Sequence, residues 1–199
     1  MMEKVRGALF SMLLAHTAGG STFPGNARWL DLYAGTVRSS PASHSQACHA
    51  VRVLTQTIDM QGAVGLESLS RGCAQAHFVE YDPWVIKQVL RPNVRTAGFL
   101  ADAVVHQDRV EDFLQRARNA PSFAGGAFDF VSVTPPYMDV SYPQIYDLLD
   151  HSPLLHDRSV VVVEYSTQNV RDIRKTVGPL VLQKDRKYGR TNVAIYAAM

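Results

Sequence analysis

The chain has 199 residues, 46% of them hydrophobic and 19% charged, with a formal net charge of +2 at pH 7. That is enough for one domain around one sizeable core. No apolar run approaches the roughly 20 residues of a membrane-spanning helix, and the opening MMEKVRGALFSMLLAH has neither the long apolar segment of a secretory signal nor the Ser- and Arg-rich composition of a transit peptide. Cys48 and Cys73 form no CxxC pair, and the seven histidines show no ligand spacing, so neither a disulfide framework nor a metal centre is expected. A pI near 8.6 permits a nucleic-acid partner without requiring one.

Lys4 to Ala15 carries Val5, Leu9, Met12 and Leu13 at helical spacing, which predicts a helix docked on a core. The turn-rich HTAGGSTFPGN ends it. Arg28 to Tyr33 (RWLDLY) reads as a short buried strand, followed at once by Ala34-Gly35-Thr36. Val37 to Gln61 opens polar and Ser-rich and shows no clean periodicity. From Gly62, GAVGLESLSRG reads as a helix with Leu66 and Leu69 inward, stopped by Gly72. Ala76 to Tyr81 predicts a second strand, Pro83 to Leu90 a helix with proline in its first turn, Ala103 to His106 a third strand, and Val110 to Ala117 a helix. Phe128 to Val133 predicts a fourth strand running into Thr134-Pro135-Pro136-Tyr137, and Tyr142 to Asp150 another helix. The β-branched run Ser159 to Glu164 suits a strand covered on both faces. Two last runs, Leu180 to Leu182 and Asn192 to Tyr196, separated by KDRKYGRT, read as a terminal antiparallel pair. Alternating strands and helices imply right-handed βαβ units and a mainly parallel, seven-stranded sheet. With the antiparallel hairpin at its edge, this is the methyltransferase variant of the Rossmann-like, doubly wound α/β fold, in one domain spanning residues 1–199.

In such a sheet, ligands sit beyond the carboxyl ends of the strands, near the switch point. Four of these ends carry suggestive residues: Asp31 with Ala34 and Gly35, Glu80, Asp108, and Thr134 to Tyr137. A carboxylate closing the second strand suits ribose hydroxyls, because it accepts two hydrogen bonds, although a solvated strand end has the same composition. Asp108 reads either as an acceptor for an adenine amine or as a helix cap. Removing Val37 to Gln61 joins Thr36 to Gly62 and yields LDLYAGTGAVGLESLSRG, a strand, a tight glycine turn and a helix. The segment is therefore expected to be an insertion into a cofactor loop, at a loop-closure cost of only about 1–2 kcal/mol, with a functional lid as the competing reading. VTPPY is the catalytic candidate: two prolines fix a rigid extended turn. The Pro135 carbonyl could then hold an exocyclic base amine while the Tyr137 ring stacks on an extruded base.

These stretches (KVRGALFSML, LDLYAGT joined to GAVGLESLSRG, AHFVEYD, VTPPY and the closing GRTNVAIY) resemble, in order and spacing, the RsmD family of small-subunit ribosomal RNA guanine-N2 methyltransferases. The resemblance is nearest to plant members that act in organelles. It implies a class I S-adenosylmethionine-dependent methyltransferase fold with the cofactor held by Asp31, Ala34, Gly35, Gly62, Glu80 and Asp108. It also implies a base pocket of Thr134, Pro135, Pro136 and Tyr137, and a ribosomal RNA or assembling small ribosomal subunit as partner. A monomer, acting in the chloroplast or another organelle without a membrane or metal, completes the expectation. The chain departs from the family pattern in three ways. Thr134 stands where the family has Asp or Asn, the glycine loop is split, and the strand region that usually precedes KVRG in the family is not in this sequence. Arg6, Arg186, Lys187 and Arg190 are candidate phosphate contacts, equally readable as solvated charge, as is Arg71. A methyltransferase acting on DNA adenine or protein, and a non-catalytic or impaired splice form, are the competing functions.

Overall fold

Residues 3–16, 20–35, 62–136 and 140–199 are described by the computed structural model. The whole of the proposed insertion, Val37 to Gln61, and Tyr137 of the catalytic candidate lie outside the described residues. In chain order the elements are α1 (Glu3–His16), β1 (Arg28–Leu32), α2 (Ala63–Ser70), β2 (Gln75–Glu80), α3 (residues 83–96), β3 (Ala103–Gln107), α4 (Val110–Asn119), β4 (Phe130–Val133), α5 (Tyr142–Asp150) and β5 (Val160–Ser166). A 3-10 turn at Thr167–Asp172 leads to β6 (Thr176–Val177), β7 (Leu180–Tyr188) and β8 (Thr191–Ala197).

The strands form one sheet in the order β3-β2-β1-β4-β5-β8-β7-β6. The first five are parallel, and β8, β7 and β6 add antiparallel pairs at the edge. The expected parallel sheet with its hairpin is present, with an eighth strand, β6, too short to leave a hydrophobic period in the sequence. The order of strand addition reverses between β1 and β4, with β2 and β3 added on one side and β4 and β5 on the other, so the switch point lies between Leu32 and Val133.

Alternation along the strands sorts the core into two layers. Leu30, Leu32, Val131, Val133, Val161 and Val163 face α4 and α5, meeting Phe113, Leu114, Tyr146 and Leu149. Trp29, Phe78, Phe130 and Val162 face the other way, against Leu9, Phe10 and Leu13 of α1, Val64 and Leu69 of α2, and Leu90 and Val94 of α3. Trp29 stacks on Phe130 at 5.2 Å and on Phe10 at 5.3 Å, fixing α1 to the sheet centre.

Three elements differ from their sequence signals. α3 runs on past Leu90 to Thr96 despite Pro92, through a π turn over Ile86–Leu90. The wider turn relieves the clash a proline ring makes with the carbonyl four residues back. β1 stops at Leu32 because Tyr33 takes a positive φ of 66°, which turns the chain over the strand end. The last turn is only Gly189-Arg190. β7 pairs with β8 as far as Tyr188↔Thr191, so Arg186 and Lys187 are exposed strand residues rather than turn residues.

Candidate cofactor and acceptor crevice

The carboxyl ends of β1 and β2 are tied together by two buried acids on the α2 face of the sheet. Asp31, 1% exposed, receives Ser132 Oγ on Oδ1 at 2.8 Å and Gly65 N on Oδ2 at 3.0 Å. Ser132 in turn accepts Trp29 Nε1 at 2.9 Å, so an indole, a hydroxyl, a carboxylate and the first turn of α2 form one buried relay. Burial raises the Asp31 carboxyl to about 6, against the lowering effect of those donors. A Cβ on Gly65 would lie 2.3 Å from Phe78 Cε1, so only glycine lets α2 approach this closely.

Glu80, 3% exposed, accepts Gly35 N on Oε2 at 3.0 Å and Asp82 N on Oε1 at 2.8 Å. Burial again pushes its carboxyl above the usual carboxylate range. A Cβ on Gly35 would meet Glu80 Oε2 at 2.9 Å and Val85 Cγ1 at 2.3 Å, so this is another position where the backbone is in close approach. Ala34 N donates to Val79 O at 3.0 Å, and Gly62, at φ 73°, donates its amide to Ala34 O at 2.6 Å. The residues flanking the proposed insertion are therefore hydrogen-bonded to each other. The strand, glycine turn and helix are assembled as though Ala34-Gly35 ran on into Gly62.

Asp108 follows β3, and its amide donates to Glu80 O at 3.0 Å, which brings the third strand end to the second. Its carboxylate lies 2.7 Å from Arg116 Nη2. It does not cap α4, whose first-turn cap is Arg109 without a side-chain bond. At the β4 end, Thr134 is half-buried, Pro135 is buried and Pro136 is half-buried. Thr134 Oγ1 donates to Leu32 O at 3.5 Å and its amide to the same carbonyl at 3.4 Å. The hydroxyl proton thus points back to β1, and no donor among the described residues takes up its lone pairs.

Asp31, Ala34, Gly35, Gly62, Glu80, Asp108, Thr134, Pro135 and Pro136 therefore gather around the carboxyl ends of four adjacent strands. Ser132, Gly65 and Tyr33 belong to the same construction and were not singled out by the sequence. A Ser inside a buried β-branched strand was the available signal for the first. Tyr33 donates its hydroxyl to Glu111 Oε1 at 3.0 Å, joining the β1 turn to α4. Of the basic candidates, Arg190 lies in the turn beside the end of β5, where Thr167 N donates to its carbonyl at 3.4 Å, and Lys187 is paired with Asn192 nearby. Arg6 is half-buried on α1. Arg71 pairs with Glu67 at 2.6 Å and covers the Phe10 ring at the far end of α2, away from the crevice. Among the described residues no cluster of His, Cys, Asp and Glu could hold a metal ion, and no helix is long and apolar enough to cross a membrane. His77 and His106 satisfy each other at 3.0 Å.

The profile of the family described as conserved hypothetical protein 95, the RsmD family, matches residues 55–197. Its match begins beyond β1, within the Val37–Gln61 segment. The Bacillus subtilis (strain 168) protein named "Putative rRNA methyltransferase YlbH" is 27% identical over 194 residues, covering 98% of this chain and 84% of that protein. Among solved structures, "Putative methyltransferase yhhF" from Escherichia coli superposes with a TM-score of 0.69 at 24% identity, covering 100% of this chain and 87% of its own. An RNA methyltransferase from Salinibacter ruber in complex with S-adenosyl-L-homocysteine gives a TM-score of 0.58 at 12% identity, covering 99% and 92%. These structural likenesses establish the class I methyltransferase fold.

Proposed function

This chain belongs to the conserved hypothetical protein 95 family, and we propose on that premise that it is an S-adenosylmethionine-dependent methyltransferase whose acceptor is the exocyclic N2 amine of a guanine in ribosomal RNA. The observation that carries the cofactor half is the Glu80–Gly35 contact. A buried carboxylate with one backbone donor on each oxygen keeps lone pairs for two further donors, and vicinal ribose hydroxyls supply them. Gly35 and Gly62 leave room for the rest of the nucleoside and the methionine moiety, Asp31 positions the turn from beneath, and Asp108 stands where an adenine amine would donate. The rRNA relative and the resemblance to guanine-N2 enzymes support the acceptor half.

S-adenosylmethionine, when bound, supplies an electrophilic methyl group on a sulfonium. The chain's own residues have the remaining work. A guanine N2 lone pair is delocalised into the ring and must be turned toward the methyl carbon. Thr134 Oγ1 and the Pro135 carbonyl would accept the amine hydrogens, and Tyr137 would stack on the splayed base. Arg6, Arg186, Lys187 and Arg190 would hold backbone phosphates. Plastid or other organellar action, and a monomeric state, belong to the same proposal and rest on the resemblance alone.

Calorimetry with S-adenosyl-L-homocysteine, on the whole chain and on a form lacking residues 37–61, tests the cofactor half. Binding by both forms is expected, tighter in the shorter one. Failure of both would remove the methyltransferase reading. Transfer of labelled methyl to small-subunit rRNA, with the label recovered as N2-methylguanine, tests the acceptor half. Exclusive labelling of DNA or protein would overturn it.

A further inference from the structure

α3 leaves the carboxyl end of β2 directly after Glu80 and has a core side and a bare side. Val85, Ile86, Val89, Leu90 and Val94 are buried against the sheet and its neighbours. On the other side Trp84, Lys87, Arg91 and Arg95 follow one another at intervals of one helical turn, so they share one strip, and all four are exposed. Solvated helix faces ordinarily mix charges in pairs one turn apart. Here three cations stand together, and none has an acidic partner among the described residues. The acid at the head of the helix, Asp82, is committed to Trp84 N at 2.8 Å as its cap. At the crevice end, Trp84 is 54% exposed beside Tyr81, which is 55% exposed and covered on one side by the Arg109 guanidinium at 5.5 Å.

An unpaired polycationic strip that ends in an open indole is complementary to a polyanion carrying π-faces. We infer that this side of α3 is a second RNA-docking strip, with Lys87, Arg91 and Arg95 on phosphates and Trp84 stacked on an unpaired base beside the crevice. Lys87 and Arg95 are separated by about 12 Å along the helix, at about 1.5 Å per residue. The strip begins at the crevice mouth, so a strand lying along it presents one end to the reacting centre. This inference rests on the RNA reading above and extends it to a surface that neither the fold nor the family assigns.

The test is a titration of a labelled oligouridine over a range of salt concentrations, with the whole chain and with the triple variant K87Q/R91Q/R95Q. Each phosphate contact to a single strand adds about 0.7 to the log–log salt slope. The triple variant should therefore lose about 2 from that slope and bind more than tenfold more weakly at low salt, with unchanged affinity for S-adenosyl-L-homocysteine and an unchanged thermal melt. Should the triple variant fold poorly, R91Q alone must lower the slope by about 0.7. Because Trp29 is buried between Phe10 and Phe130, RNA-dependent quenching of tryptophan emission reports Trp84, and Trp84→Ala should weaken RNA binding about tenfold. A salt slope shared by whole chain and variant, or the absence of quenching, overturns the strip and leaves the RNA methyltransferase reading standing. RNA binding absent altogether, with methyl transfer to DNA or peptide, removes both. Loss of binding to phosphatidylserine vesicles in the variant, with RNA binding unaltered, also overturns it.

Discussion

The two sides of the crevice are built in opposite ways. At the ends of β1 and β2, two buried carboxylates are each tied to the protein at both oxygens by bonds of 2.8–3.0 Å. At the end of β4, Thr134 makes two long bonds among the described residues, 3.4 and 3.5 Å, to a single carbonyl, and the shape is set by two prolines. The first side is held by charge and hydrogen bonds before any ligand arrives. The second is held by covalent stiffness and leaves its polar atoms uncommitted. The proposed function, in which a charged cofactor is gripped tightly and a neutral base presented loosely to it, would use this asymmetry.

Asp31→Ala is the severest way to break the comparison. It strands the Gly65 amide and the Ser132 hydroxyl in the core, and should cost about 3 kcal/mol of stability by urea unfolding. Asp31→Asn should be far milder, because the amide can accept from Gly65 and donate to Ser132, which turns its proton to Leu30 O. The pair also fixes a pH dependence. The Asp31 carboxyl titrates at about 6 in the fold against 3.8 when exposed, so the native state holds the proton more tightly than the unfolded chain does. This group's contribution is full below the exposed value and is lost as pH rises to about 6, by about 3 kcal/mol in all. Asp31→Asn should flatten that fall.

Gly35→Ala comes next. The new methyl group collides with Val85 and Glu80, so stability should drop by about 1–3 kcal/mol. S-adenosyl-L-homocysteine affinity should fall at least about tenfold, since about 1.4 kcal/mol is one factor of ten. Glu80→Gln sharpens the same side: its amide can accept from only one of the Gly35 and Asp82 N–H groups, so stability should fall by about 1–3 kcal/mol and cofactor affinity about tenfold. Because burial raises the Glu80 carboxyl, wild-type affinity should weaken on acidification as the accepting carboxylate is protonated, whereas the Gln variant should respond little. Thr134→Val is expected to have the smallest effect. Its hydroxyl supports almost nothing structurally, so stability should change by less than about 1 kcal/mol and cofactor affinity not at all, while turnover on RNA falls. A large stability loss there would show the two sides to be alike.

Much of this was legible in the residues because local and global demands agree. The β-branched run of β5, the Tyr142–Asp150 helix and the acids at strand ends each satisfy one simple rule. The clustering of Asp31, Glu80, Asp108 and Thr134 followed from topology alone. What escaped depended on partners distant in sequence. Ser132 is an unremarkable polar residue until Asp31 and Trp29 close on it from β1. The continuation of α3 past Pro92 needs a π turn that no periodicity announces, and the full length of β7 leaves no alternation to read because Asp185, Arg186 and Lys187 all face water.

The 2.6 Å bond from Gly62 to Ala34 has a practical corollary. Ala34 and Gly62, on either side of that segment, meet at one point, so this position can serve as a socket. A foreign module whose own two termini adjoin, such as a small fluorescent reporter, could be exchanged for the native segment with little topological penalty. Its emission would then report directly on the proposed cofactor crevice beside Gly35 and Glu80.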